Sequence, residues 1–509
     1  MLKKNIKISH LALIISFINL ILYHIPLYKF ICNNIDFNSL NSIGLLISIT
    51  ILVLMVNALL FYITFVLLGF IGKYVLVVFF NINAVAVYFI NTYNVLIDKA
   101  MIGNVLNTKY EESSSFLSFT LLIYLIFLGI IPSILLIKVK IVRVKFKQNL
   151  AHISLAFIFT LLLVYVNSAN WLWIDKNSKT LGSLVMPWSY VVNTNRFFYH
   201  KNLENQQQIL LPNAIIQNDK KSIAVLVIGE SARSANFSLY GYKKNTNPLL
   251  SKIKNVHSYK AKSCATYTTA GVKCILEHKN SSNLFEILPN YLFRNGVEVI
   301  WRTTNWGEPK VLIEKYQKRK ELKKLNIDNE IDSQYDEILL SGIKEQIVSS
   351  KNNKILVVLH TSTSHGPIYS KKYPQQFNKF TPICESVELA KCTQEELINA
   401  YDNTIVYTDY ILASLIDELK QIDAYDTSMI YVSDHGESLG ENNLYMHGIP
   451  SSIAPKEQLE IPFIVWLSND NKKLKDNKLL SQQHVFHSVL DLLGVESPIY
   501  DEAMSIFKK

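Results

Sequence analysis

The chain is short of charge. Asp, Glu, Lys and Arg make up 18% of its 509 residues, against roughly 25% in an ordinary soluble protein. Glycine (17) and proline (14) are also few, which excludes a collagen-like or low-complexity chain. Zinc-finger and RNP-type patterns are missing, so the net charge of +10 is no argument for nucleic acid. What is abundant is apolar: 49% hydrophobic residues, with 27 Tyr and 25 Phe. Such a chain is not disordered, and it is unlike one that is soluble throughout.

A bilayer needs about 20 apolar residues per helical span. Five runs qualify, at 11–31, 43–70, 74–97, 116–137 and 150–171, and the second has no charged residue. Four runs after the first exclude a cleaved signal peptide as the explanation. Lys3, Lys4 and Lys7 precede the first run, Lys73 lies in the turn after the second, and Lys138, Lys140, Arg143, Lys145 and Lys147 follow the fourth. The loop at 32–42 has Asp36 as its one charge, and the loop at 98–115 is mixed. The positive-inside rule then puts the N-terminus in the cytoplasm and everything after about 171 outside. Much of the basic excess is thereby topological.

The expected organisation is a five-helix transmembrane domain (1–171), an interfacial linker (172–219) carrying Trp173 and Trp188, and a soluble domain (220–509). The soluble part reads as α/β. Short aliphatic runs at Ile223–Ile228, Val297–Trp301, Ile355–Leu359, Ser428–Val432 and Ile461–Leu467 alternate in part with helical stretches such as Leu397–Lys420. That alternation predicts a mostly parallel central sheet covered on both faces. Polar residues gather just after the strands: Glu230 and Ser231; His360, Ser364 and His365; Asp434, His435 and Glu437. In open α/β sheets ligands bind beyond the carboxyl ends of strands, so one edge collects these groups.

Cys32 ends the first run and is expected to be free. Cys264/Cys274 and Cys384/Cys392 are close pairs. Of the three connectivities, local pairing closes two short loops and suits an oxidising compartment; a four-cysteine zinc site is the alternative. Asp434-His435 is a ligand pair suited to Zn²⁺ or Mn²⁺, and Glu230 can add a third ligand. The hydroxyl-rich stretch Ser263–Thr269 offers Thr266, Thr268 and Thr269 as nucleophiles that a metal would acidify. His365 and His447 remain to hold a phosphate or move a proton.

Five segments together carry a resemblance: VIGESARSANFSLYGYKKNTNP (227–248), SCATYTTAGVKC (263–274), LHTSTSHGP (359–367), INAYDNTIVYTDYI (398–411) and SDHGESLGENNLYMHG (433–448). They are similar to the membrane phosphoethanolamine transferases of the alkaline phosphatase/sulfatase superfamily, which include lipid A-modifying, polymyxin-resistance enzymes. The resemblance implies a sulfatase-like catalytic domain on the periplasmic side of the inner membrane. It implies Thr268 as the nucleophile, with Thr266 next, and a primary zinc site of Glu230, Thr268, Asp434 and His435. His365 and His447 match histidines near the transferred phosphate, and Glu437 matches an acidic residue close to the metal. Asn104, Thr108 and Glu112 match positions proposed to hold the donor headgroup. Lys310 lies near a lysine of the family, although the spacing is not clean. The chain also has cysteines for two disulfides where several members have three or more.

The implied activity is zinc-dependent transfer of phosphoethanolamine from phosphatidylethanolamine to lipid A or lipooligosaccharide through a phosphoethanolamine-threonine, with release of diacylglycerol. Membrane lipids are the other expected partners, nucleic acid is not one, and a monomer is expected. A phosphoglycerol transferase or sulfatase-like phosphodiesterase on the same fold is the alternative. A non-enzymatic receptor or scaffold would not need the set Glu230, Thr268, Asp434, His435, His365 and His447.

Overall fold

The computed structural model describes residues 5–35, 40–107, 116–142, 177–204, 208–216, 220–326, 331–386, 389–476 and 479–508, with isolated residues between 148 and 174. It divides into two units, Met1–Tyr199 and His200–Lys509.

The first unit is helical. Helices α1 (Ile8–Tyr23) and α2 (Ile25–Asn33) meet at His24 with a 62° bend. Pro26 stands at the start of α2, where its missing N–H costs no helical hydrogen bond. Helix α3 (Leu40–Leu68) stops at Gly69, whose φ of 57° is left-handed, and α4 (Gly72–Tyr93) follows after one tight turn. Helix α5 (Phe119–Lys138) is capped by Ser118, whose hydroxyl accepts from the Leu121 N–H at 3.1 Å. Tyr23, Leu27, Phe61, Phe65, Leu76 and Phe80 form its centre. Among the described residues, Ser42–Tyr93 and Phe119–Lys138 are long and apolar enough to cross a membrane, and the bent pair α1–α2 makes a third candidate. The expected count of five is therefore not confirmed among the described residues. The second and third expected runs form one apolar stretch broken only at Gly69–Ile71, and the fifth falls mostly outside the described residues.

The second unit is built on an eight-stranded sheet: β1 (Ser222–Gly229), β2 (Val256–Lys262), β3 (Glu298–Thr303), β4 (Lys315–Lys318), β5 (Lys354–His360), β6 (Asp426–Ser433), β7 (Glu460–Leu467) and β8 (Leu480–Ser481), in the order β8-β2-β7-β6-β1-β5-β3-β4. The sheet is mixed. Strand β7 runs antiparallel to both β2 and β6, whereas the other five pairings are parallel. All five expected strands lie in it. Strands β2, β4 and β8 were not expected, because VHSYKAK and KYQK are polar and mostly not buried and β8 has two residues.

Every residue of β1 is buried, and its side chains alternate between two cores. Ile223, Val225 and Val227 face helix α8 (Gln394–Lys420). Ala224, Leu226 and Ile228 face α6 (Thr268–Leu276), α7 (Leu288–Arg294) and α9 (His484–Leu493). Helix α8 begins in a capping box, with Thr393 and Glu396 satisfying each other's backbone N–H groups.

Cys264 pairs with Cys274 and Cys384 with Cys392, while Cys32 is free. The second bridge closes a separation of 8 residues. Replacing Cys384 and Cys392 together by serine should cost about 2–3 kcal/mol through the freed unfolded chain. A denaturant titration of the oxidised protein against the double variant checks this; equal midpoints would contradict it.

Candidate metal and nucleophile site

Strand β1 ends at Gly229, which is a glycine because the Tyr431 hydroxyl of the adjacent β6 fills the space a Cβ would need, 2.5 Å away. Glu230 follows, then Ser231 at φ 54°. This left-handed turn aims the Ser231 N–H at Asp434 Oδ1 (3.0 Å), while the Ser231 hydroxyl donates to Glu230 Oε1 (2.7 Å). The end of β6 delivers Asp434 and His435 alongside, with Asp434 N–H donating to Gly229 O at 2.9 Å. Thr268 opens α6, at the electropositive end of that helix. Helix α6 lies hard against β6: a Cβ on Gly271 would sit 2.1 Å from Asp434 O. The Cys264–Cys274 bridge spans the segment that carries Thr268, and Gln482 ties it to β6 by accepting from Cys264 N–H and donating to Ser433 O and Asp434 O.

Four side chains converge. Thr268 Oγ1 is 3.3 Å from His435 Nε2 and 3.5 Å from Glu230 Oε2. His435 Nε2 is 3.4 Å from Glu230 Oε1 and 3.3 Å from Asp434 Oδ2. All four are buried. His435 Nδ1 is 2.9 Å from Gly436 O, so it carries the ring proton in the neutral tautomer and Nε2 presents a lone pair. Asp434 Oδ2 has no hydrogen-bond partner. Two carboxylate oxygens and an imidazole lone pair thus face one another in a buried pocket, an arrangement that a cation satisfies. Zinc–ligand bonds of about 2.0–2.2 Å set tetrahedral ligand atoms about 3.3–3.6 Å apart, the spacing found here. The residues present fit zinc. Glu230, His435 and His447 also offer ligand atoms all within 4.8 Å of one another.

The electrostatics are those of a charge-dense pocket. Burial opposes ionisation of Glu230, yet His435, His365 and His447 together hold its carboxyl well below the usual range. Burial and the Glu230 charge push Asp434 the other way, well above it. Burial lifts Glu437 to about 8, against the pull of His435 and His365.

His447 stands beside the cluster, its ring 4.2 Å from that of His435 and 5.3 Å from that of His365. Its Nδ1 lies 3.1 Å from Glu437 Oε2 and 3.3 Å from Ser231 Oγ. Glu437 therefore orients a histidine. Thr266 is elsewhere: its hydroxyl donates to Ile449 O at 2.6 Å. Lys310 is exposed, and its backbone carbonyl accepts from Gln208 and Asn290. Asn104 lies in the short helix Lys99–Asn107 of the first unit, and Thr108 and Glu112 lie outside the described residues.

Sequence reasoning missed Asn305. It follows β3, and its amide donates to Glu230 Oε2 (2.7 Å) and Thr361 O (2.8 Å). Its position just past a strand end was the available signal. Outer groups of this kind typically contribute 10–100-fold to metal affinity, so Asn305→Ala should weaken zinc binding by about that factor, read by chelator competition. Unchanged affinity would remove Asn305 from the site.

Comparison with known proteins gives a consistent answer. Residues 222–495 match the sulfatase family model, and residues 46–202 match the model described as phosphoethanolamine transferase EptA/EptB. The phosphoethanolamine transferase EptA of Helicobacter pylori is 38% identical over 98% of this chain and 96% of its own. The integral membrane lipooligosaccharide phosphoethanolamine transferase A of Neisseria meningitidis superimposes with a TM-score of 0.86 at 27% identity, covering 98% of both chains. The C-terminal periplasmic domain of phosphoethanolamine transferase EptC of Campylobacter jejuni is 38% identical, with a TM-score of 0.52, over 59% of this chain and 97% of that one.

Proposed function

This chain belongs to the EptA-type phosphoethanolamine transferase family, and from that premise we propose that it moves phosphoethanolamine from phosphatidylethanolamine to lipid A or lipooligosaccharide. The observation that carries the mechanism is the convergence of Thr268 Oγ1, His435 Nε2 and the Glu230 carboxylate within 3.3–3.5 Å in a buried pocket.

Glu230, Thr268, Asp434 and His435 would hold Zn²⁺, which when bound lowers the pKa of a coordinated hydroxyl and offsets phosphoryl charge. Thr268 Oγ1 attacks phosphorus, and the bond to the diacylglycerol oxygen breaks. The phosphoryl group stays on Thr268 as a phosphoethanolamine ester. An acceptor hydroxyl or phosphate then attacks the same phosphorus and Thr268 leaves. His365 and His447 flank the cluster and suit two tasks: hydrogen-bonding the phosphoryl oxygens and giving a proton to the departing diacylglycerol oxygen. Asn305, Ser231 and Gln482 hold the ligand-bearing loops still, so little reorganisation is left for the reaction.

The membrane unit keeps the site near its lipid donor. We place five spans across the inner membrane, the N-terminus in the cytoplasm and the catalytic unit in the periplasm, where the two disulfides persist. Asn104, Thr108 and Glu112 would hold the donor headgroup, and the enzyme acts as a monomer. The test is mass spectrometry of lipid A from cells expressing the wild type or Thr268→Ala. A phosphoethanolamine increment with the wild type alone supports the proposal. No increment with either removes lipid A as acceptor.

A further inference from the structure

Asp336 has no part in the scheme above, yet it is one of the most heavily hydrogen-bonded carboxylates near the site. It is buried at the head of a short 3-10 turn, Asp336–Leu340. Its Oδ1 accepts from Thr304 Oγ1 (2.5 Å) and Ser362 Oγ (3.0 Å). Its Oδ2 accepts from Ser362 N–H (2.6 Å) and Thr363 Oγ1 (2.6 Å). Arg319 stands farther off, at 3.9 Å.

These four donors come from two loops. Thr304 sits in the loop after β3, next to Asn305, which holds Glu230. Ser362 and Thr363 sit in the loop after β5, between Thr361 and His365. The rest of that loop is tied by neutral contacts: Thr361 to Ile228 O, and Ser364 to Thr404. A carboxylate offers about four lone-pair sites, and all four are used here. An amide in its place would turn an N–H₂ towards two of these donors, Ser362 N–H and Thr363 Oγ1 if it replaces Oδ2.

We infer that Asp336 is a positioning residue for the transfer reaction, fixing the His365 loop against the loop that carries Asn305. This rests on the proposed transfer, in which His365 meets the phosphoryl group. Asp336 touches neither substrate nor metal ligand, and its effect passes through the placement of His365. Misplacement of a reacting group by about 1 Å can cost 10²-fold in rate, whereas the anchors of Asn305 on Thr361 O and of Glu230 on Ser231 survive loss of Asp336.

The test uses the full-length zinc-loaded enzyme in detergent micelles with a fluorescent phosphatidylethanolamine, and follows release of fluorescent diacylglycerol, which needs no particular acceptor. Asp336→Asn should lower kcat about 10–100-fold, with KM and zinc content held within about twofold. In a His365→Ala background the same change should cost less than about threefold, because the two act as one unit. Thr363→Val, which removes a single donor, should show a smaller loss of the same kind and carries the test if Asp336→Asn does not fold. A folded Thr363→Val and Asp336→Asn with wild-type kcat, or an equal loss in both backgrounds, would overturn the positioning role. A zinc-loaded wild type that releases no diacylglycerol would instead overturn the transfer reaction, and this role with it.

Discussion

Thr268→Ala should abolish transfer, with kcat falling by at least about 10³-fold, while the protein stays folded and membrane-inserted. The hydroxyl is buried and has two contacts, both to groups of the cluster. Removing it takes away the atom that, in the proposed mechanism, forms the bond to phosphorus. Thr266 is two residues away, but its hydroxyl is engaged with Ile449 O. Thr269 is exposed. Thr268→Ser keeps the oxygen and should retain measurable turnover. A Thr268→Ala enzyme with wild-type rate would remove the nucleophile from the account, whatever the metal does.

Asp434→Asn should lower zinc affinity by about 10²-fold or more, beyond the usual effect of an outer-sphere change, and take activity down with it. The reason lies in the two oxygens. Oδ1 accepts from Ser231 and His435 N–H groups and can remain a carbonyl oxygen in the amide. Oδ2 has no hydrogen-bond partner and lies 3.3 Å from His435 Nε2. An amide N–H₂ at that place donates to the imidazole lone pair and no longer ligates. Metal binding and folding therefore separate: the chelator-treated variant should melt no lower than the chelator-treated wild type. Zinc content by mass spectrometry and thermal melts with and without chelator read the two halves. Full zinc occupancy in the variant would contradict the ligand assignment.

The five expected strands were legible because each is an apolar run buried almost throughout, the signature of a strand inside the sheet. Strands β2 and β4, near or at the two ends of the sheet, were not, since lysines and tyrosines there look like loop. Glu230, Asp434 and His435 were legible by their place just after strands, a consequence of where an α/β sheet exposes its backbone ends. What decides between Thr266 and Thr268 is long-range: the first is 183 residues from its acceptor and the second 167 from His435. Gln482 reaches Cys264 across 218 residues and Asp336 reaches Ser362 across 26, and nothing in their local sequence marks either, whereas Asn305 at least stands just past a strand end. The apolar runs were visible too, but apolarity alone does not say where one helix ends. Gly69 with its left-handed backbone breaks α3 from α4 inside a single 52-residue apolar stretch.

The most direct test of the account is to look for the covalent intermediate. Purified full-length enzyme is incubated with phosphatidylethanolamine and no acceptor, quenched, reduced and digested with trypsin. Cleavage after Lys262 and Lys273 frees the peptide Ser263–Lys273, which contains Thr266, Thr268 and Thr269. The account predicts phosphoethanolamine on Thr268, absent from Asp434→Asn enzyme and lost when acceptor is added. An unmodified peptide from an enzyme that still converts its acceptor, or modification of Thr266 instead, would contradict it.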